Sequence, residues 1–279
     1  MMKFSILVAN YNNGKFFKTC YDSIIAQKYK NWEVIILDDA STDDSLEIIR
    51  KLIGDDSRFL IYENEKNSGV GITKAKLIEL ANGEICGFCD PDDALSPDAL
   101  QDSMDEFEKD EKVVLTYSNF YDCDENLKPT NISKASKLAP SKDPYFFNCP
   151  IHIVHFVAFR KNVYNTTEKM DTTKKIAEDQ DLYLKMYEKG KIAFIDKPNY
   201  YYRKHAGGIS QNDNKKKSYE YWGEVIFNAM KRRGLKEING VKIPEKFTNS
   251  DEIFKLLEYQ NSFAFRLQKK AKILLQKLW

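Results

Sequence analysis

Within the first 117 residues, short apolar runs alternate with amphipathic stretches, which confines the chain to a small set of layered folds. Residues 4–9, 32–37, 59–62, 84–89 and 113–117 read as strands, and residues 15–27, 45–53, 72–81 and 96–110 as helices. In the first helix Phe16, Cys20 and Ile24 recur at every fourth position and form one apolar stripe. Ser41 or Thr42 is placed to cap the second helix. Ser96-Pro97-Asp98 offers the fourth helix an N-cap, a proline at the first helical position and a first-turn acid. The alternation predicts an α/β architecture with a mostly parallel, doubly wound central sheet flanked by helices. In such sheets ligands bind beyond the carboxyl ends of the strands.

The pattern breaks after Asp122. Residues 123–148 are polar, contain prolines and read as a long loop, which in compact domains usually carries function. A strand over 151–159, a helix over 178–188 and strands over 192–195 and 199–202 follow. Beyond Ser210 the chain reads as helical over 216–233 and 251–279, which divides it into a body of residues 1–210 and a helical C-terminal extension of 211–279. At 42% hydrophobic and 13% aromatic residues the chain fills a core, so disorder is excluded as its main state. The formal net charge of +1 conceals a segregation: residues 211–279 hold 15 basic and 8 acidic residues, a tail of +7 on a body of −6. No bulk field favours nucleic acid. The opening apolar run is too brief for a signal-peptide core, and no window approaches the ~18 unbroken apolar residues of a membrane span. Five cysteines without an export signal suit reduced thiols, so a cytoplasmic setting is expected.

Three polar groups fall at the carboxyl ends of strands: Asn10-Tyr11-Asn12 after the first, Asp38-Asp39 after the second and Asp90-Pro91-Asp92-Asp93 after the fourth. The sheet makes them neighbours. Neither a G-x-G-x-x-G turn nor a G-x-x-x-x-G-K-[ST] loop follows the first strand, which argues against a dinucleotide or P-loop site. Carboxylates repel phosphate, so an acidic cluster at such an edge makes sense with a divalent cation between them. Asp90 and Asp92 supply the one or two oxygen ligands that Mg²⁺ or Mn²⁺ takes from protein when phosphates complete its shell. An Asp ending the second strand accepts from a base N–H or a ribose hydroxyl, and Tyr11 offers a ring for stacking.

Further groups occur in order: Asp38-Asp39-Ala40-Ser41-Thr42-Asp43, Asn67-x-Gly69, Asp90-x-Asp92 with Pro97 after it, Glu178-Asp179, and Tyr202-Arg203-x-His205. Together they resemble the family-2 glycosyltransferases of the GT-A fold, over roughly residues 1–210. The resemblance implies a Rossmann-like GT-A sheet and an inverting transfer from a nucleotide sugar, UDP-linked in preference, to an acceptor hydroxyl. It places Ala9, Tyr11, Asp39, Lys74 and Asp90 on the nucleotide, and Asp92 with His205 on Mn²⁺ or Mg²⁺. Asp93, Glu178 and Arg203 fall near the diphosphate or acceptor, and Asp179 becomes the catalytic base. His155, on a strand bordering the cleft, is an acceptor contact. The common role of the family is assembly of bacterial surface polysaccharide or glycolipid, so a glycan or lipid-linked acceptor is implied. Two positions depart from the pattern: Val8-Ala9-Asn10 replaces a proline and a hydroxyl residue, and Thr73-Lys74-Ala75 replaces Ala-Arg-Asn, leaving Lys74 as a point charge.

Other readings compete. Asp90-x-Asp92 also suits a haloacid-dehalogenase-like phosphatase, although that family carries it after its first core strand. A nucleotide-binding, membrane-associated protein without turnover is the non-enzymatic alternative, and a sugar nucleotidyltransferase lacks its glycine-rich loop here. Asp38 alone reads as a turn residue. Cys86 and Cys89 have redox spacing but lie in a buried strand, without the helix N-terminus that stabilises a thiolate. His152 and His155 point to opposite faces of a strand and make a poor zinc pair with Cys149. The final segment, residues 261–279, holds five basic residues and no acid, with Phe263, Leu267, Leu274 and Leu278 along it. That pattern suits an anionic membrane surface, which would make the protein peripheral, or packing on the body or a second copy in a homodimer.

Overall fold

β1 (Phe4–Asn10) and β2 (Trp32–Asp38) are apolar on both faces, so the sheet they begin is covered twice. Phe4, Ile6, Val8, Trp32, Val34 and Ile36 enter one core, and Leu7, Ile35 and Leu37 enter the other. The computed structural model describes residues 1–174, 176–205 and 214–263, together with positions 265, 267 and 271. α1 (Gly14–Ile25) precedes β2; α2 (Ser45–Ile53), β3 (Phe59–Glu63), α3 (Val70–Leu80) and β4 (Ile85–Phe88) follow it. Next come β5 (Ala94–Leu95), α4 (Ala99–Lys109), β6 (Val113–Cys123), β7 (Pro129–Ile132), β8 (His155–Arg160), α5 (Lys161–Tyr164), α6 (Glu178–Tyr187) and β9 (Lys191–Arg203). After β9 lie α7 (Asn214–Arg232), the small hairpin β10 (Glu237–Ile238) and β11 (Val241–Lys242), and α8 (Ser250–Leu257).

The main sheet has the order β3-β2-β1-β4-β8-β6-β9-β5, with β7 attached to β6. β1 to β4 are mutually parallel, as are β6 and β9. β8 lies antiparallel between these blocks and delivers its first residue, His155, to the edge where β4 ends. Phe17, Cys20 and Ile24 of α1, Ile49 of α2 and Leu100, Met104 and Phe107 of α4 cover one face. Leu77 and Ile78 of α3 and Leu182, Tyr183 and Met186 of α6 cover the other. A third core joins Val225, Ile226 and Met230 of α7 and Ile253 and Leu257 of α8 to Phe147, Ala177 and Leu184.

The α/β expectation holds, and several local readings are corrected. β7 emerges inside the supposed loop: all four of its residues are exposed, so it has no apolar alternation to betray it. β8 begins only at His155, because the Asn148 carboxamide first ties the chain into a turn, its Oδ1 accepting from the N–H groups of His152 and Ile153 at 2.8 and 2.9 Å. His152 therefore lies outside the strand, buried, with its ring edge-on to Phe146. The two final strands of the body are one, β9, which shifts register against β6 near Pro198. Neither Ser41 nor Thr42 caps α2; Asp43 accepts from the N–H of Ser45 at 3.0 Å instead. Ser96 bonds Asn199, and α4 opens at Ala99 behind Asp98, so Pro97 precedes the helix. The last long helix is interrupted after Leu257 by a 3₁₀ turn, Glu258–Asn261. The basic segment expected beyond it falls largely outside the described residues; Phe263 and Leu267 are exposed. Among the described residues no helix is long and apolar enough to cross a membrane.

Glu33 of β2 ties this layer together. Its buried carboxylate accepts from Lys3 Nζ, Ser5 Oγ and the N–H of Asn82, each at 2.6 Å, joining β1, β2 and the turn before β4. Burial alone would raise its pKa, but these donors outweigh it and hold the carboxyl below its usual range. Glu33→Leu is expected to cost about 2–3 kcal/mol in chemical denaturation, because Ser5 Oγ and the Asn82 N–H lose their buried acceptor. The carboxylate's contribution is present above its unfolded pKa and lost as pH falls through the depressed folded one. The wild type should accordingly lose stability in acid faster than the variant.

Candidate active site

The edge where β1, β2 and β4 end opens into two adjoining cavities of about 500 and 410 Å³. The first is lined by Ala9, Tyr11, Asp39, Asn67, Gly69 and Thr73. Asp38 serves its turn, as expected: it accepts from Asn10 Nδ2 at 2.6 Å and from the N–H of Ser41 at 2.8 Å. Asp39 is buried and gathers the far wall, accepting from Asn64 Nδ2 at 2.7 Å and from the N–H groups of Ser68 and Gly69 at 2.9 and 2.8 Å. Gly69 has φ 88°, a conformation that disfavours other residues and lets the chain turn directly into α3. Tyr11 stands at the rim, 43% exposed, a ring available to a base.

The second cavity holds Lys74, Asp90, Asp92, Glu178, Asp179 and His155. Asp92 Oδ2 lies 2.8 Å from His205 Nε2, which brings together the two side chains expected on a metal. Burial and the charge of Asp90 push the Asp92 carboxyl up, an arrangement a divalent cation relieves. Among the described residues no three His, Cys, Asp or Glu side chains converge on one metal position. A hard cation here would keep the remaining ligand positions for phosphate or water, as Mg²⁺ commonly does.

Arg203 and Asp93 brace this loop. The Arg203 guanidinium donates to the Asp92 carbonyl at 2.6 Å, the Glu125 carbonyl at 2.7 Å and Thr19 Oγ1 at 2.8 Å, and the Arg203 main-chain N–H donates to Asp93 Oδ1 at 2.7 Å. Asp93 is buried, and burial with the charges of Asp92 and Asp90 raises its pKa well above the carboxylate range. Both residues border the cleft, where the sequence suggested diphosphate or acceptor contacts, and these bonds also hold the loop that carries Asp92.

α6 presents its first turn to the same cavity behind Ala177, which adopts φ 66°. Glu178 pairs with Lys74 at 2.7 Å in a nearly buried ion pair. Burial disfavours the Lys74 ammonium, but the charges of Glu178, Asp90 and Asp179 outweigh it and hold it protonated. Asp179 lies part-exposed in the cavity wall. Its pKa is pushed up to about 6, first by desolvation and then by Glu178. That is the range of a general base working near neutrality. His155 is pushed down to about 4 by burial, so its ring is neutral at pH 7.

Other groups at the site were not read as such in sequence; Phe16, expected on the apolar stripe of α1, yields that place to Phe17 and lines the first cavity. Phe16 packs its ring 4.7 Å from that of His205, and the Tyr200 hydroxyl accepts from the Asp90 N–H at 3.1 Å. Lys174 reaches from the loop before α6 to Glu224 of α7 at 2.7 Å. These pairs join positions distant in sequence, and only the run Tyr200-Tyr201-Tyr202 was visible as a dense aromatic stretch. Cys86 and Cys89 are buried core thiols with raised pKa values, as expected.

Comparison with known proteins bears on this geometry. Residues 5–167 match the model of glycosyl transferase family 2. The chain is 29% identical over 245 residues to chondroitin synthase of Escherichia coli, covering 84% of this chain but only 33% of that protein. It is 30% identical over 218 residues to the Escherichia coli UDP-Glc:alpha-D-GlcNAc-diphosphoundecaprenol beta-1,3-glucosyltransferase WfaP, covering 75% of this chain and 80% of the relative. Among solved structures, S. aureus TarS in complex with UDP-GlcNAc superposes with a TM-score of 0.69 at 22% identity, over 94% of this chain and 73% of that one.

Gly71 offers a test of how closely the wall is set. A Cβ there would lie 2.6 Å from the Lys174 carbonyl oxygen, so α3 presses on the loop that leads to Glu178 and Asp179. Gly71→Ala is expected to lower turnover by roughly tenfold or more through displacement of Asp179. Nucleotide affinity, measured by calorimetry, should change far less.

Proposed function

The chain belongs to glycosyl transferase family 2, and from that membership we propose an inverting transfer of a sugar from a nucleoside diphosphate, UDP in preference, to an acceptor hydroxyl. The observation that carries this reading is the placement of Asp179, with its raised pKa, in one cavity with Asp90 and Asp92. The base and ribose would occupy the first cavity between Tyr11 and Asp39, with Ala9 beside them. The diphosphate would lie toward Lys74, Asp90 and Asp92. Asp179 takes the proton of the acceptor hydroxyl; that oxygen bonds to the anomeric carbon from the face opposite the diphosphate, and the bond from this carbon to the diphosphate oxygen breaks.

Asp92 and His205 are the residues that would hold Mn²⁺ or Mg²⁺. When bound, the cation supplies charge stabilisation for the departing nucleoside diphosphate. The names of the relatives support a place in bacterial cell-surface polysaccharide or glycolipid assembly, with a glycan or lipid-linked acceptor. In this reading residues 1–210 carry the chemistry, and the extension 211–279 braces α6 and turns its net positive charge toward an anionic surface on the cytoplasmic face or toward a second copy. A haloacid-dehalogenase-like phosphatase is set aside by the family match.

Asp179→Asn is expected to lower kcat by about 10²- to 10⁴-fold, the usual worth of a positioned base, with nucleotide binding retained. A variant with normal turnover would remove Asp179 from this role. In the wild type only the deprotonated carboxylate accepts a proton, so kcat/KM should rise as pH increases through about 6 and then level. Asp92→Ala should abolish the Mn²⁺-dependent rise in melting temperature that UDP gives the wild type. A wild type that shows no metal-dependent shift with any nucleoside diphosphate would count against the donor assignment.

A further inference from the structure

We propose that Lys174 and Glu224 are positioning residues for the transfer: their ion pair, between the turn before α6 and α7 of the extension, sets where the first turn of α6 stands and so where Asp179 meets the substrate. This rests on the assignment of Asp179 as the base and extends it to residues that all lie beyond the stretch 5–167 matched by the family.

Asp179 does not fix its own position. Among the described residues its carboxylate accepts only from the Gln180 N–H, at 2.8 Å within the same helical turn. The start of α6 is equally undetermined from within. Its N-cap, Ala177, offers no capping side chain and stands at φ 66° and ψ 19°, a left-handed conformation unfavourable for alanine. Such a start persists only where the surroundings over-determine it.

The turn of residues 171–174 supplies that constraint, because it is gripped from two sides. On one side its main chain presses on α3: a Cβ at Gly71 would lie 2.6 Å from the Lys174 carbonyl oxygen and 3.7 Å from that of Asp171. On the other, Lys174 Nζ meets Glu224 at 2.7 Å, with the lysine side chain only 5% exposed. The Lys174 N–H closes the turn onto the Asp171 carbonyl at 3.2 Å, and the Asp171 N–H donates to Asp181 Oδ2 of α6 at 3.3 Å. A shift of Lys174 is thereby passed to the helix.

Glu224 is the near partner of this buried ammonium. The Asp171 carboxylate lies 3.6 Å away and already accepts from the hydroxyl and N–H of Thr173 at 2.6 and 2.9 Å. Without Glu224 the charge of Lys174 would be poorly compensated, which is strongly unfavourable in a buried place. Withdrawal of the lysine to water relieves it and carries the turn along. Glu224 itself is held firmly: Val225, Ile226 and Met230 of α7 share a core with Leu184 of α6, and at the far end of α6 Glu188 accepts from Nε of both Arg232 and Arg233 at 2.9 Å.

The test uses the full chain with a UDP-sugar and Mn²⁺, at a temperature where circular dichroism shows each variant folded. Glu224→Gln is expected to lower kcat about 10- to 100-fold through misplacement of Asp179, with the donor KM and the UDP affinity from calorimetry changed by less than about twofold. Lys174→Met combined with Glu224→Gln should lose no more than the worse single variant, because the two act as one pair. Hydrogen exchange reads the clamp without activity: in Glu224→Gln the amides of residues 171–174 and 176–181 should exchange faster than in the wild type, while those of α1 stay unchanged. Glu188→Gln, at the far end of α6, should lower the melting temperature yet leave kcat within about twofold. Unchanged kcat or unchanged exchange in Glu224→Gln, a matching rise in its donor KM, additive losses in the double variant, or an equal loss of kcat in Glu188→Gln would overturn the proposal. Normal turnover by Asp179→Asn would instead overturn the base assignment on which it rests.

Discussion

Carboxylates withdrawn from water repel one another, and here Asp90, Asp92 and Asp93 from the loop after β4 and Glu178 and Asp179 from the first turn of α6 meet at one sheet edge. Much of the surrounding structure compensates for that. Lys74 neutralises Glu178, His205 pairs with Asp92, and the buried Arg203 donates from its guanidinium to the Asp92 carbonyl and from its main-chain N–H to the Asp93 carboxylate. Partial compensation is what leaves chemistry possible: Asp92 and Asp179 keep raised pKa values, the first suited to a cation and the second to a proton.

The order of strands turns this acidic edge into a sequence of tasks. Because β8 runs against its neighbours, its start reaches the edge where β4 ends, and an aromatic stack grows from Tyr200 through His155 to Tyr202 directly beside the acidic loop. On the other side of the cavity, the first turn of α6 is held from three directions. Lys74 of α3 pairs with Glu178, Gly71 admits the Lys174 main chain, and α7 contributes Glu224 and the core around Ala177. A helix that follows the chemistry in sequence thus supports the residue proposed to perform it, with the strained φ of Ala177 maintained by packing on both sides.

Legibility in sequence followed burial. Strands such as β1 and β2, with both faces apolar, and helices with a strong stripe, such as α1 and α2, were readable within a residue or two. β7 was not, since a fully exposed hairpin strand has no pattern. The start of β8 was misplaced because side-chain bonds of Asn148, not hydrophobicity, decide where extended pairing begins. Single residues behaved alike. Asp39, Asp90, Asp92 and Asp179 stood out as acids at strand or helix ends, whereas Phe16 on His205 and Lys174 on Glu224 left no trace, their partners lying far along the chain.

The sequence by itself determined the layered α/β architecture, the carboxylates at the strand ends and the family resemblance, because each depends on local periodicity and on residue type at short spacing. It also carried the segregation of charge between body and tail. Only the tertiary structure decided which of the acidic and basic residues gather at one cavity and which contacts hold them there. Arg203 and Asp93, expected near the diphosphate or acceptor, border the cavity and also brace its loop, and Lys74 is bound to Glu178. Those outcomes depend on burial and on contacts between residues 100 or more positions apart, quantities that no local pattern encodes.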